Sequence, residues 1–351
     1  MITEEKIYEV LQPIKDPDLK KSILDTGGIK EVKIKGENVS VKIALAKTGT
    51  AEQMQIQQAV VKLLKEEVGA DSVGLRFDTL SEEEIKAQGG LEEKQSPKSL
   101  LSEDNKTEFI AVTSGKGGVG KSTVSVNIAV AMARAGKKVG IIDADIYGFS
   151  VPDMMGIDQR PQVVNDTIYP VERFGVKVIS MGFFVEDNAP VIWRGPMLGK
   201  MLNNFFNEVD WGDLDYIILD LPPGTGDVAL DIHTMLPECK ELIVSTPHAT
   251  AAFVAARAGA MAIKTNHEIL GVIENMSYFE SKITGERENV FGEGGGERLK
   301  DELKTELLGQ IPLGQPEIDE ENFAPSVYDT SHPIGEIYKG ITDRIIEKIG
   351  R

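Results

Sequence analysis

The stretch Gly115-Lys116-Gly117-Gly118-Val119-Gly120-Lys121-Ser122-Thr123 matches the pattern G-x-x-x-x-G-K-[ST] in full. The apolar residues just before it, 109–113, have the composition of a buried strand, and we expect a helix to begin near Ser122. A loop between a strand and a helix is the context that distinguishes this motif from an ordinary glycine-rich turn. The sequence therefore predicts a phosphate-binding loop.

The residue types in this loop suit a nucleotide for separate physical reasons. Four glycines allow backbone N–H groups to curl around a phosphate without Cβ clashes, and the helix directs its positive end at the same anion. We expect Lys121 to reach the β- and γ-phosphates and the Ser122 hydroxyl to bind Mg²⁺. The candidate nucleotide-binding residues of the loop are Gly115, Lys116, Gly117, Gly118, Val119, Gly120, Lys121, Ser122 and Thr123.

Two apolar runs end in carboxylates that would complete such a site. Residues 138–142 are followed by Asp143 and Asp145, and residues 216–219 by Asp220. Ligands bind at the carboxyl ends of parallel strands, so these side chains should meet the loop. Asp220 fits the Walker B position, which holds Mg²⁺ through water, and Asp143 or Asp145 could orient the attacking water. A capping or turn role is the alternative for Asp145 and Asp220. The candidate metal ligands are Ser122, Asp143 and Asp220.

Beyond residue 108, short apolar runs alternate with helical stretches. Strands that are apolar on both faces and separated by helices indicate an α/β fold with a parallel sheet covered by helices on both faces. The runs are FIAVTS (109–114), KKVGIID (137–143), VKVISM (176–181), YIILDL (216–221), ELIVST (241–246), ILGVIEN (269–275) and ELLGQIP (306–312).

Residues 1–80 have the pattern of a small α+β domain. A helix is expected over 3–12, and two strands on either side of the turn at 36–38 form a hairpin with one apolar face. A helix over 51–67 should cover that face. Residues 81–108 are acidic and rich in Ser and Gly, which predicts a flexible linker between this domain and a nucleotide-binding domain at 109–351.

Composition excludes several classes of protein. The chain has 351 residues, with 38 Lys and Arg against 56 Asp and Glu, so its formal net charge of −18 opposes non-specific binding to DNA or to an anionic membrane. A single Cys239 excludes an intramolecular disulfide framework and an all-cysteine metal cage within one chain. No apolar run of about 18 residues and no apolar signal core is present, so we expect a cytoplasmic protein without a membrane partner.

A second lysine, Lys116, gives the motif the form KGGVGKST, which is the signature of the deviant Walker A ATPases. Residues 109–345 resemble the Mrp/ApbC family of P-loop ATPases, which are related to MinD, ParA and the nitrogenase iron protein. The segments that carry the resemblance are SGKGGVGKSTVSVNIA, IDADIYGFSVPDMMG, WRGPML, DYIILDLPPGTGD, VIENMSYF and FGEGGGERL. Residues 1–80 are similar to the MIP18-type domain that is often fused to that family.

The resemblance implies a homodimeric, Mg²⁺-dependent ATPase whose slow hydrolysis works as a switch. Two ATP molecules would lie face to face between the subunits, and Lys116 would cross to the partner's phosphates. Such a second cation would neutralise charge that develops on the transferred phosphoryl group. The resemblance also places Asn275 and Pro312 at the adenine. The candidate catalytic residues are then Lys116, Lys121 and Asp145.

The chain departs from the family at its cysteines. Family members carry iron–sulfur clusters on a CxxC that follows the V-I-E-N-M-S motif, but residues 275–287 contain no cysteine, and the family's G-C-P is Gly49-Thr50-Ala51 here. Cys239 is expected to be a buried structural thiol. The four histidines, His233, His248, His267 and His332, are scattered, and none is expected to bind a metal.

This pattern most resembles the cysteine-poor SalA branch of the family, which is linked to ATP-dependent regulation of transcription. We therefore favour a regulator that binds DNA or partner proteins when ATP closes the dimer. An iron–sulfur cluster carrier is the alternative, and a scaffold that grips client proteins is a third hypothesis. Lys33, Lys35 and Lys42 share one face of the hairpin, which is either a DNA-binding face or a solvated polar one.

Overall fold

The computed structural model of the protein describes residues 2–48, 51–88, 97–145, 148–164, 167–184, 195–319 and 322–350. The chain divides into two units, Met1–Gln95 and Ser96–Arg351. Gly49 and Thr50, the middle of the predicted linker at 89–96 and residues 193–194 of the WRGPML segment lie outside the described residues.

The N-terminal unit contains the predicted hairpin and its covering helices. Its elements are α1 Glu4–Leu11, β1 Ile29–Lys35, β2 Asn38–Leu45, α2 Ala51–Glu66, β3 Ser72–Thr79 and α3 Glu82–Ala87. β2 is the central strand, antiparallel to β1 and parallel to β3. Val39, Val41 and Ile43 are at most 2% exposed, and they pack with apolar side chains of α1 and α2. The period-2 pattern of β2 therefore places one face of the sheet in a core.

Both ends of the predicted linker are structured. Residues 82–87 form α3, which begins with a capping box between Ser81 and Glu84. Glu84 also lies 2.5 Å from the Lys30 ammonium, and this contact holds the pKa of the Glu84 carboxyl at about 2, well below its usual range. At the other end Leu100 is 4% exposed, and its N–H donates to the Phe206 carbonyl at 2.9 Å. The linker was predicted from average composition, which does not detect a local capping box such as Ser81–Glu84 or a single buried residue such as Leu100.

The C-terminal unit is built on one large sheet. Its strands are β4 Glu108–Ser114, β5 Val139–Asp143, β6 Gln162–Val164, β7 Thr167–Tyr169, β8 Val171–Arg173, β9 Val176–Ser180, β10 Tyr216–Asp220, β11 Lys240–Ser245, β12 Ile269–Asn275, β13 Phe279–Glu280, β14 Arg287–Glu288 and β15 Leu307–Ile311. Its helices are α4 Lys121–Arg134, α5 Val151–Met155, α6 Gly195–Asn207, α7 Asp227–Met235, α8 Ala249–Lys264, α9 Gly295–Leu303 and α10 Pro333–Ile349, with a 3-10 turn at Met181–Phe184.

The large sheet has eight strands in the order β15-β12-β11-β4-β10-β5-β9-β8. All neighbouring pairs are parallel except β8 and β9, which pair antiparallel at one edge. Each of the seven predicted apolar runs is one of the parallel strands, so the predicted α/β fold class is confirmed. The smaller ribbons β6–β7 and β13–β14 lie outside this sheet.

Strand β10 shows why these runs are apolar without alternation. Tyr216 and Ile218 belong to the core that packs against α4 and α10, whereas Ile217 and Leu219 belong to the core beneath α6 and α7. All four are 0% exposed. A strand covered by helices on both faces must be apolar at every position. Among the described residues, no helix is both long and apolar enough to cross a membrane.

Candidate nucleotide-binding site

The loop between β4 and α4 holds its shape through glycine. Gly118 and Gly120 have φ of 78° and 80°, in the left-handed region that L side chains rarely adopt. A Cβ on Gly120 would also lie 2.1 Å from Asn275 Nδ2. Gly120 is the N-cap of α4 and gives it no side-chain cap hydrogen bond. The first N–H groups of α4 are thus without a capping side chain, as an anion-binding helix end requires.

Lys121 and Asp220 form a buried ion pair where the loop meets the end of β10. Lys121 Nζ lies 2.7 Å from Asp220 Oδ1, and their side chains are 6% and 0% exposed. The Ser122 hydroxyl donates to Asp220 Oδ2 at 2.6 Å, and the Ser125 hydroxyl donates to Oδ1 at 2.6 Å. Hydrogen bonds from three side chains compensate the buried carboxylate for its lost hydration. The structure thereby brings together Lys121, Ser122 and Asp220, and their roles toward phosphate and Mg²⁺ stay predictions.

Asp143 lies at the end of the neighbouring strand and is completely buried. Its Oδ2 accepts from the Ser180 hydroxyl at 3.0 Å and from the N–H groups of Ser150 and Val151 at 3.1 and 3.2 Å. Burial, and then the charge of Asp220, raise the pKa of Asp143 to about 7. Asp143 therefore holds the chain that follows β5 in place through these hydrogen bonds. Because the carboxyls of Asp143 and Asp220 repel each other when both are charged, Asp143 binds a proton more readily than an ordinary aspartate.

Asp145 occupies the loop after β5 and is half-buried. Its Oδ1 accepts from the N–H of Gly148 at 3.1 Å, and its own N–H donates to Asp143 Oδ1 at 3.2 Å. This is the geometry of a turn aspartate, which we named as its alternative role. Its part in positioning water stays a prediction.

The segment after Asp220 closes back on the phosphate loop. The Gly224 N–H donates to the Ser114 carbonyl at 2.8 Å, at the point where β4 ends. A Cβ on Gly117 would lie 4.0 Å from Pro223 Cγ, so the two loops approach each other closely. Residues of DLPPGTGD thus form one wall beside the predicted phosphate position.

Asn275 and Pro312 follow adjacent strand ends on the other side of the loop. Asn275 is 7% exposed, and its Nδ2 donates to the Val119 carbonyl at 2.9 Å. Its partner in the sheet is Ile311, so Pro312 comes next to it in space. The structure places Asn275 as a support of the phosphate loop, and contact of either residue with adenine stays a prediction.

Lys116 is exposed at the tip of the loop, while its carbonyl accepts from the Ser114 hydroxyl at 3.1 Å.

Two further residues of the site, Ser125 and Ser180, were not predicted from the sequence. Ser125 follows Lys121 by one helical turn, and this spacing is a signal that sequence contains. Ser180 reaches Asp143 across the sheet, and no local spacing indicates that contact.

Two of the three lysines expected on one face of the N-terminal hairpin form ion pairs with acids. Lys33 Nζ lies 2.6 Å from Glu31 Oε1, and Lys42 Nζ lies 2.8 Å from Asp78 Oδ2. These lysines lower the pKa of both carboxyls. A face of mixed charge favours the solvated interpretation over a DNA-binding one.

The fold and the loop define a P-loop NTPase. A family model described as "NUBPL iron-transfer P-loop NTPase" of the ParA type matches residues 105–346, and one described as "Iron-sulfur cluster assembly protein" matches residues 4–74. The chain therefore belongs to this family of iron-transfer P-loop NTPases, the Mrp/ApbC group, as the sequence motifs indicated.

Named relatives and solved structures agree with this placement. The chain is 64% identical to the "Iron-sulfur cluster carrier protein" of Bacillus subtilis (strain 168), over 99% of both chains. It is 43% identical to the protein of the same name in Mycobacterium leprae, over 88% of this chain and 82% of the relative. A nucleotide-binding protein of Archaeoglobus fulgidus in complex with ADP is 37% identical with a TM-score of 0.52, over 68% and 87% of the two chains. The cell division ATPase MinD of Pyrococcus furiosus, 22% identical with a TM-score of 0.50 over 69% and 99%, shares the fold.

We expect the affinity for Mg²⁺ with nucleotide to rise with pH through about 7. The raised pKa of Asp143 means that the Asp143–Asp220 pair holds a proton near neutral pH, and a divalent cation at Asp220 would displace it. Calorimetry of MgADP binding at about pH 6 and about pH 8 should show tighter binding at the higher pH and proton release at the lower.

Asp143→Asn should remove this pH dependence, whereas Asp153→Asn, at an exposed position on α5, should leave it intact. If the affinity of the unmodified protein for MgADP does not depend on pH, the Asp143–Asp220 pair does not hold a proton near neutral pH.

Proposed function

We propose that this protein is a nucleotide-dependent dimeric switch that works in iron–sulfur cluster delivery and hydrolyses ATP to change its hold on cargo or partner. The observation that carries the proposal is the buried Lys121–Ser122–Asp220 constellation at a glycine loop, in a chain of the cluster-carrier family. Relatives that bear the carrier name favour this function over the transcriptional regulator that we favoured from the sequence.

The nucleotide chemistry follows from the groups at the loop. The N–H groups of residues 117–120 cradle the phosphates, and Lys121 leaves Asp220 to bind the β- and γ-phosphates. Ser122 Oγ and the Asp220 carboxylate are neighbouring hard oxygen donors, which suit Mg²⁺. Ser122 and Asp220 would hold Mg²⁺, which would supply positive charge to neutralise the phosphates. Asp145 orients the attacking water, and Asn275 and Pro312 border the adenine.

Lys121→Ala is expected to weaken ATP binding at least ~100-fold, because charged hydrogen bonds contribute about 1.5–3 kcal/mol each and Lys121 is the main cation of the cradle. Fluorescent nucleotide titration measures the effect, with circular dichroism to verify folding. Lys264→Ala, at an exposed lysine at the end of α8, is the matched control. Unchanged affinity in Lys121→Ala would contradict the nucleotide site.

The exposed Lys116 suits action between subunits. Its side chain lies in solvent at the loop tip, so a second copy facing this loop can receive it. Its ammonium then stabilises charge on the partner's transferred phosphoryl group. After hydrolysis the γ-phosphoryl group leaves as inorganic phosphate, and the contact of Lys116 with it between subunits is lost. The nucleotide therefore sets the state of the dimer.

Lys116→Ala is therefore expected to bind ATP normally and to lose turnover by ~10³-fold or more, by analogy with a catalytic arginine supplied in trans. Phosphate release measures turnover. Mixing Lys116→Ala with Lys121→Ala should restore part of the activity, because a mixed dimer keeps one intact loop and one intact crossing lysine. Normal turnover by Lys116→Ala alone would refute the role.

Cargo binding is the part of this function that the chain's own side chains support least. Cys239 is the single cysteine, is 2% exposed, and burial raises the pKa of its thiol. It lies in the core beneath α6 and α7, as expected for a structural thiol. Two such thiols in a dimer are too few for the four thiolates of an ordinary cluster, so other ligands would have to complete the set.

The carrier function predicts about four irons per dimer, with matching sulfide, after anaerobic reconstitution and desalting. Iron and acid-labile sulfide are counted in the unmodified protein and in Cys239→Ser, which isolates any contribution of the thiol. Near-zero iron beside intact ATP binding would contradict cargo binding by this chain.

That outcome would favour the second candidate, a switch that regulates DNA or partner proteins without a cluster. The lack of a cysteine pair after β12 is the observation that favours it. The mixed charge of the hairpin face makes a protein partner the better expectation than DNA within this second candidate.

A further inference from the structure

Two histidines and a glutamate meet in the core beneath α7 and α8. His233 comes from α7, Glu241 from β11, and His267 from the segment between α8 and β12. Their nearest ligating atoms all lie within 4.8 Å of one another, and the side chains are 5%, 1% and 0% exposed. A carboxylate and two imidazoles have no water to solvate them here, so their mutual arrangement must satisfy them.

Hydrogen bonds alone do not satisfy this cluster. Among the described residues, His233 Nε2, Glu241 Oε1 and His267 Nε2 are buried without a hydrogen-bond partner. His233 Nε2 lies only 2.8 Å from Glu241 Oε1, yet the pair lacks hydrogen-bond geometry. His267 Nδ1 lies 3.5 Å from the same oxygen. His233 Nε2, Glu241 Oε1 and His267 Nδ1 thus lie close together inside the protein, and the first two of these atoms have no hydrogen-bond partner among the described residues.

Thr265 orients the imidazole ring of His233 through a hydrogen bond to Nδ1. The Thr265 hydroxyl has one proton, which it donates to the carbonyls of Met261 at 2.9 Å and Ala262 at 3.1 Å. Its oxygen lies 3.0 Å from His233 Nδ1 and 3.4 Å from His267 Nδ1, and in the His233 tautomer with its proton on Nδ1 it accepts the Nδ1–H. The neutral ring then carries its lone pair on Nε2, facing the Glu241 carboxylate. Two lone pairs at this distance repel each other unless a cation lies between them.

We propose that His233, Glu241 and His267 form a binding site for one divalent transition-metal ion of the Zn²⁺ or Fe²⁺ type. Two imidazoles and one carboxylate are a donor set that these ions prefer, with a fourth position for water or a hydroxyl. Ligands of a tetrahedral ion with bonds of about 2.0–2.1 Å are about 3.3 Å apart. The separations of the two histidine nitrogens from Glu241 Oε1, 2.8 and 3.5 Å, bracket that value, and all three ligand atoms lie within 4.8 Å of one another.

The surroundings have the second layer that metal ligands use. Thr265 orients His233 through its distal nitrogen, and the Thr113 hydroxyl lies 3.5 Å from Glu241 Oε2. The ion would therefore tie α7 and the segment before β12 to the centre of the sheet.

This site is separate from the phosphate loop. Glu241 pairs with Ala111, three residues before the pairing of Val244 with Ser114 at the end of β4. Three strand residues span about 10 Å, so the site lies inside the sheet's core rather than at its ligand-binding edge. It does not depend on the proposed ATPase or carrier function.

Metal counting on the full-length protein tests the site. Chelator-treated protein with MgADP present, to occupy the phosphate site, is incubated with Zn²⁺ alone, desalted and analysed. We expect about one Zn²⁺ per chain and a Tm increase of about 5 °C or more. Glu241→Gln and His267→Gln should lose both effects, while His248→Asn, at an exposed helix cap where Asn serves equally well, should keep them.

Co²⁺ provides a readout that needs no variant. In the unmodified protein, Co²⁺ bound to two imidazoles and one carboxylate in a tetrahedral site gives intense visible absorption, which Zn²⁺ should abolish by competition. Absence of bound Zn²⁺, weak octahedral-type Co²⁺ absorption, or equal Zn²⁺ retention by a folded Glu241→Gln would each overturn the proposal.

Discussion

The ion pair between Lys121 and Asp220 is the interaction on which the site depends. It joins the first residue of α4 to the last residue of β10, inside the protein and 2.7 Å apart. A buried pair of this kind is stable only when hydrogen bonds replace the lost water, and the hydroxyls of Ser122 and Ser125 provide them. The same arrangement positions a cation and a carboxylate where phosphate and metal would replace these contacts. Stability without ligand and readiness for ligand thus come from one set of atoms.

The phosphate-loop motif and the parallel strands could be predicted because each is encoded in a short, continuous stretch of sequence. The loop 115–123 matches its motif in consecutive residues, and each parallel strand has an uninterrupted apolar run because helices cover both faces. Other features that the sequence did not reveal depend on contacts between distant segments. Ser180 reaches Asp143 from another strand, and Leu100 anchors part of an acidic segment on α6. The amino-acid composition of a segment gives no information about single contacts of this kind.

The histidines show the same limit more sharply. In sequence, His233, Glu241 and His267 have no recognisable ligand spacing, so scattered histidines were expected to be inert. The fold brings a helix, a strand and a loop to one point, and there the side chains meet with lone pairs that protein donors do not use. Whether buried polar groups are satisfied is a property of three-dimensional packing, and it distinguishes a ligand set from three unrelated residues.

The ribbon β13–β14 lies where the family resemblance predicts a cysteine pair, and its chemistry differs from that of a cluster site. Arg287 donates to Glu280 at 2.7 Å, and its guanidinium lies 4.4 Å from the centre of the Tyr278 ring. These groups are hard, charged and already paired, so they offer no soft ligand for iron. Neighbouring Ile283 is 96% exposed. In this chain the residues of the family's phosphate-loop motif are therefore present while the cysteine pair is not, and a cluster carried by the proposed ATPase would need ligands that come, at least in part, from other groups.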